Sequence, residues 1–166
     1  NDSKIKVYKL RKQLRPYLEK YFPTKIIESG IIFRKIFKDN LVISREDDTL
    51  PAIITLNKNN NCIMREQFIK DGEYVDGLSD ISYYPNGDVL SETNYINGVM
   101  HDPNDGSPCV KKYNPNRSLK YTCRYNNGRK HYTMGPAEVL YENEELDEPQ
   151  VKFFIKGIEY EDEDEY

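Results

Sequence analysis

Apolar residues near the start of the chain recur at Val7, Leu10, Leu14 and Leu18, with Lys and Arg filling the positions between. That three-to-four spacing predicts an amphipathic helix with Ser3 as its N-cap, kinked or restarted at Pro16 and ended by Pro23. The next stretch, "KIIESGIIFRKIF" (25–37), holds two β-branched apolar runs around Ser29-Gly30, a hairpin signal. From residue 51 a different pattern takes over. The strand-like runs "PAIITL" (51), "SDISYY" (79), "PCVKKY" (108) and "PAEVLY" (136) are each followed by polar turn residues: "NKNNN", "PNGD", "NPNR" and "ENEELDE". Each then gives a second run, "CIMREQFIKDG", "VLSETNYING", "SLKYTCRYNNG" or "PQVKFFIKG", ending at Gly72, Gly98, Gly128 or Gly157.

The steps between these glycines are 26, 30 and 29 residues, and a period of that size marks a repeat architecture. Two strands of about six to nine residues plus two turns fill one period, so each unit reads as one β-hairpin. Asn86-Gly87 supplies residues that accept the positive φ of a tight hairpin turn, and each repeated Gly is expected where the chain turns into the next unit. A lone hairpin is marginal in water, so neighbours must share an apolar face. The predicted fold is therefore mainly β: an array of antiparallel hairpins forming one extended twisted sheet, with an N-terminal helical cap. Its segments are a basic helical segment (1–23), a repeat domain (24–160, units near 24–50, 51–78, 79–106, 107–134 and 135–160) and an acidic tail (161–166).

The segments "NGVMHDPNDGSP" (97–108), "NGRKHYTMGPA" (127–137), "YYPNGDVLSETNYING" (83–98) and the degenerate "DNLVISREDDTLPA" (39–52) share one pattern. It runs Asn-Gly-x-x-His, a short polar gap, Asp-Gly-Pro-Ala, strand, Asn-Gly turn, strand. This resembles the MORN-like β-hairpin repeats abundant in giant viruses of amoebae, with relatives among bacterial antitoxin-type repeat proteins. The resemblance covers roughly residues 30–160 and leaves the N-terminal helix outside. It implies a hairpin-repeat module of viral origin and says little about function.

Composition agrees with thin layers rather than a thick core. Only 37% of the 166 residues are hydrophobic and 31% are charged, with no Trp but 14 Tyr, whose rings pack flat while their hydroxyls reach water. Residues 1–45 hold 12 Lys/Arg against 4 Asp/Glu, whereas residues 46–166 hold 12 against 24. That bipolarity suggests a partner-binding arm or self-association of opposite poles. Lys4, Lys6, Lys9, Arg11, Lys12 and Arg15 are its candidate anion-binding residues, for nucleic acid or an anionic membrane, with capping of the repeat stack by the helix's apolar stripe the preferred reading. No apolar run approaches the roughly 18–20 residues of a membrane span and no signal peptide is visible. The expected location is cytoplasmic, in a host cell or virion if the chain is viral.

His101 and His131 are the two histidines, each three residues after a repeated glycine. A catalytic or metal-binding His has no reason to recur with the fold period, whereas an imidazole bonded at a structural corner does. Asp102 and Asp105 beside His101 would make only a weak cation site. No nucleophile elbow, zinc helix, P-loop or EF-hand loop is present. The expectation is a non-enzymatic module with no cofactor and no metal, in which His101, His131, Gly72, Gly98, Gly128, Gly157, Asn86 and Gly87 are corner residues. Tyr83, Tyr84, Tyr95, Tyr113, Tyr121, Tyr125 and Tyr141 recur with the strands, as a packing ladder or as a stacking platform for single-stranded nucleic acid. Pairing Tyr113 with Ser118 places Cys109 opposite Thr122, one residue from Cys123 and facing away from it, so free thiols are expected. A protein partner is the preferred reading, and nucleic acid or an anionic membrane the alternative.

Overall fold

The computed structural model describes residues 25–27, 30–32, 34–37, 40–45, 47–57, 59–60, 62–141 and 148–160. The basic segment 1–23, with its expected helix and the candidate residues Lys4 to Arg15, lies outside them, as does the tail 161–166. The described residues are mainly β, with every mapped strand pair antiparallel. No helix among them is long and apolar enough to cross a membrane. The chain divides into two compact units, Asn1–Glu73 and Tyr74–Tyr166.

In the first unit, β1 (Lys25–Ile27), β2 (Gly30–Ile32), β5 (Ile53–Leu56) and β6 (Ile63–Gln67) lie side by side. β3 (Arg34–Phe37) and β4 (Asn40–Ile43) form a separate hairpin. The run read as one strand after Gly30 is thus two. Gly30 itself is not a turn residue: it pairs with Ile27 and Thr55. A Cβ there would drive into the carbonyl of Ile54, so the glycine answers a close approach of backbones. Ala52, Leu56 and Ile69 are buried here with Ser44 and Arg45, whose guanidinium donates to the Pro51 carbonyl (2.9 Å).

In the second unit, β9 (Gly77–Tyr83), β10 (Val89–Ile96), β12 (Val110–Tyr113), β13 (Leu119–Cys123), β16 (Glu138–Leu140), β17 (Gln150–Ile155) and β18 (Ile158–Tyr160) run in sequence order. The register aligns Ile81, Glu92, Lys111, Thr122, Val139 and Val151 in one row across the sheet. The next row, Ser82, Ser91, Lys112, Tyr121, Leu140 and Gln150, points to the other face because side chains alternate along a strand. The first row carries partly exposed apolar and charged side chains around the buried Thr122, and the second mixes apolar, hydroxyl and charged side chains.

Each unit of the sequence period holds two hairpins rather than the expected one. After the repeated glycine the chain doubles back: β7 (Ile69–Lys70) on β8 (Glu73–Tyr74), β10 on β11 (Val99–Met100), β14 (Tyr125–Asn126) on β15 (Arg129–Lys130), and β17 on β18. The loops are Asp71-Gly72, Asn97-Gly98, Asn127-Gly128 and Lys156-Gly157, and all eight residues have φ between 47° and 91°. Two successive positive φ angles make the two-residue turn whose twist matches its flanking strands. These glycines therefore close a small side hairpin and do not lead into the next unit.

The wide turns between main strands use other geometry. At residues 84–88, Gly87 N–H donates to the Tyr84 carbonyl (2.9 Å), and Asp88 N–H donates to Asn86 Oδ1 (3.1 Å). Gly87 has φ 90°, but Asn86 is not left-handed as expected, because its side chain rather than its φ shapes the turn. Residues 114–118 repeat this with Arg117 (φ 68°) in the glycine position; its guanidinium reaches back to Asp88 (2.5 Å).

Cys109, Val110 and Cys123 form the buried centre of the second unit, covered by Met100, Tyr121 and Tyr125. The register differs from the expected one. Asn114, not Tyr113, faces Ser118, so Tyr113 pairs with Leu119 and Val110 with Cys123. The Asn114–Ser118 turn closes one residue inside the expected position and adds a register shift after Lys112. Both cysteines, and Cys62, are free thiols.

Candidate functional site

The side hairpins recur with one hydrogen-bonding frame. The first residue of each turn donates its backbone N–H to a side chain of the preceding side hairpin. Asp71 donates to Ser44 Oγ (2.9 Å), Asn97 to Asp76 Oδ1 (2.7 Å), Asn127 to His101 Nδ1 (3.1 Å) and Lys156 to His131 Nδ1 (3.3 Å). The glycine that follows donates to the carbonyl just before that acceptor: Gly72 to Ile43, Gly128 to Met100 and Gly157 to Lys130, each at 2.8 Å. Consecutive left-handed residues point both N–H groups the same way, and such a pair wants acceptors.

His101 and His131 thus occupy equivalent places, with Nδ1 as the acceptor in both. Each neutral ring then carries its proton on Nε2. Ser44 and Asp76 do the same work with other chemistry. Sequence reasoning missed them because it searched for a recurring residue type. The usable signal was the donor, the residue before each glycine, which looks back 21 to 27 positions for an oxygen or nitrogen acceptor.

The residue after His101 is the more heavily engaged group. Asp102 Oδ1 accepts from Cys109 N–H (2.8 Å) and Tyr125 N–H (2.9 Å), while Oδ2 pairs with Arg124 (2.9 Å). Arg124 also donates to the Gly106 carbonyl (3.0 Å). Asp105 instead accepts from Ser107 N–H (2.8 Å), which holds its carboxyl below the usual range. The three groups weighed for a cation are therefore spent on separate contacts. Among the described residues, no group of three His, Cys, Asp or Glu side chains is placed to hold a metal ion.

Beneath His101, burial pushes the Cys109 thiol up to about 12, and the Cys123 thiol rises for the same reason. Tyr125 is raised to about 12 and Tyr121 also upward, both chiefly by burial. A thiol held this firmly neutral is a poor nucleophile. The tyrosines of the expected ladder take several parts. Tyr95 stacks on Tyr74 at 4.0 Å, Tyr84 donates to the Tyr113 carbonyl (2.8 Å), and Tyr113 donates to Glu92 (2.7 Å). Tyr141 is exposed.

Around His131 the same frame is decorated differently. A pocket of about 490 Å³ is lined by Asn126, Asn127, Arg129, His131 and Lys156. The stem of Arg129 lies along Gly157, where an added Cβ would meet it at 3.7 Å. Lys130, half-buried below, pairs with Glu138 and sits over the Phe154 ring (4.7 Å). All five lining residues offer hydrogen-bond donors, two carry a full positive charge, and none is acidic.

No family model matches this chain, and no curated protein or solved structure matches it either.

Proposed function

We propose that the chain is a non-enzymatic module, an array of MORN-like hairpin repeats that presents an extended β surface to a protein partner. The observation that carries this reading is the engagement of the chemically distinctive groups in the repeat frame. His101 and His131 each accept from a backbone N–H of the next side hairpin, and Asp102 accepts from the Cys109 and Tyr125 N–H groups and pairs with Arg124. The sheet of the second unit meanwhile keeps mixed side chains accessible on both faces, including Leu78, Leu119 and Val151 at 39–46% exposure. Partly exposed aliphatic side chains beside polar groups would give a partner apolar anchors within a polar rim. The resemblance to giant-virus repeats extends the proposal to a viral scaffold in host cytoplasm or virion.

Affinity capture from the native host, followed by a salt titration of the captured complex, tests the reading. An apolar interface holds between about 50 and 200 mM salt, whereas phosphate-driven binding falls steeply. Leu119→Asp with Val151→Asp should release the partner while leaving the fold intact. Retention of the partner by that folded variant, or binding only to polyanions with a steep salt slope, would overturn it.

A further inference from the structure

The five residues lining the pocket beside His131 have counterparts one period earlier, beside His101. Asn126 stands where the earlier corner has Ile96, Arg129 where it has Val99, and Lys156 where it has Asn127. Asn127 and His131 match Asn97 and His101. The frame requires none of the three changes, because the His101 corner closes the same hydrogen bonds without them. Together they replace two aliphatic side chains and an amide with an amide, a guanidinium and an ammonium around one imidazole.

Among the described residues, these two charges also lack the carboxylate partners that other cations have. Lys130 pairs with Glu138, Lys152 with Glu159, Arg124 with Asp102 and Arg117 with Asp88. Arg129 and Lys156 have no such carboxylate among the described residues. Two cations that share a pocket repel each other, a cost an anion between them would remove. His131 adds a donor, since an Nδ1 that accepts from Lys156 N–H leaves the proton on Nε2.

We propose that this pocket binds a phosphoryl group carried on a side chain of the protein partner. A guanidinium fork, an ammonium, an imidazole N–H and two amides together exceed what the two oxygens of a carboxylate can accept, and match the three oxygens of a phosphoryl group. The site is a single cationic spot made by Arg129 and Lys156. A nucleic-acid backbone instead needs a track of cations and stacking rings. The source of the phosphoryl group rests on the protein-partner reading above; the anion chemistry does not.

Titration of the whole chain with O-phosphoserine, inorganic phosphate and acetate, followed by amide NMR, tests this. Saturable shifts at Asn127, Arg129 and Lys156 are expected with both phosphates, and much weaker ones with acetate. R129V combined with K156N installs residues that the His101 corner already carries, so the variant should fold; a thermal melt verifies that. Losing two charge-assisted contacts at an exposed site should weaken phosphate binding by about tenfold or more. Absence of saturable shifts, equal binding of acetate, or unchanged affinity in the folded variant would each overturn the site. Inorganic phosphate or phosphoinositide vesicles binding far more tightly than a phosphoserine peptide would overturn the assignment to a protein side chain. Because L119D/V151D tests the partner surface separately, failure of the pocket and failure of the interaction reading are distinguishable.

Discussion

The corners at His101 and His131 share a backbone frame and differ in nearly everything that frame carries. In both, a left-handed turn places two N–H groups on a carbonyl and an imidazole nitrogen. At His101 the neighbouring hairpin residue Met100 packs with Tyr125 against two buried thiols, and Asp102 ties three elements together. At His131 the counterpart of Met100 is Lys130, paired with Glu138 over Phe154. The counterpart of Asp102 is Tyr132, stacked under the Arg124 guanidinium at 4.0 Å. The backbone hydrogen bonds recur because the same left-handed turn meets the same part of the preceding hairpin in both, while the side chains laid on this frame differ. One corner has become core and the other surface chemistry.

The largest expected effect separates the two by pH. Cys109, Cys123, Tyr121 and Tyr125 are all held neutral beneath the His101 corner, with folded values raised above their ordinary ones. In the unfolded chain the thiols ionise from about pH 9, so there the unfolded state binds fewer protons than the folded state. Stability is therefore fully present below about pH 9 and is lost as pH rises toward about 12. Urea melts across that window should show a falling midpoint, and C109A/C123A should flatten the loss. A pH-independent midpoint up to 11 would contradict the buried-thiol core.

Next comes Asp102→Ala, which strands the N–H groups of Cys109 and Tyr125 and removes the carboxylate partner of Arg124. Part-buried donors left without an acceptor cost about 1–3 kcal/mol each, so a total of about 3 kcal/mol is expected after partial rescue by water. Tyr132→Ala, at the matching place, should cost about 1 kcal/mol, since only ring packing and a cation–π contact are lost. Equal costs in chemical denaturation would erase the proposed division of labour.

The smallest effects concern the imidazoles themselves. His101→Ala and His131→Ala should each cost about 1 kcal/mol or less, because the donating N–H groups are exposed and water replaces the ring. Nitrogen chemical shifts should report the Nε2–H tautomer for both rings. A ring found with its proton on Nδ1 would mean that the frame bond at that corner does not form.

Much of this organisation was legible in the chain. The period of the glycines, the strand runs and the equivalence of the two histidines follow from local rules: alternation of side chains, the tolerance of Gly and Asn for positive φ, and the spacing of turns. The second hairpin in each period was not legible, because strands of two residues carry no periodic signal of their own. Lys156 before Gly157 is the clearest instance, a residue with little taste for φ 50° held there by neighbours. Gly30 likewise read as a turn residue because sequence shows that a Cβ is absent but not what comes close.

What the sequence by itself determined, then, is the class and the rhythm: antiparallel hairpins at a fixed period, with glycine where φ must be positive. Tertiary structure alone decided which acceptor serves which turn, since a hydroxyl (Ser44), a carboxylate (Asp76) and two imidazoles (His101, His131) fill one geometric place. It alone brought Arg129 and Lys156, 27 positions apart, to one pocket with His131. The reason is physical: backbone conformation is written residue by residue, whereas convergence of side chains depends on register between distant strands, which one bulge can shift.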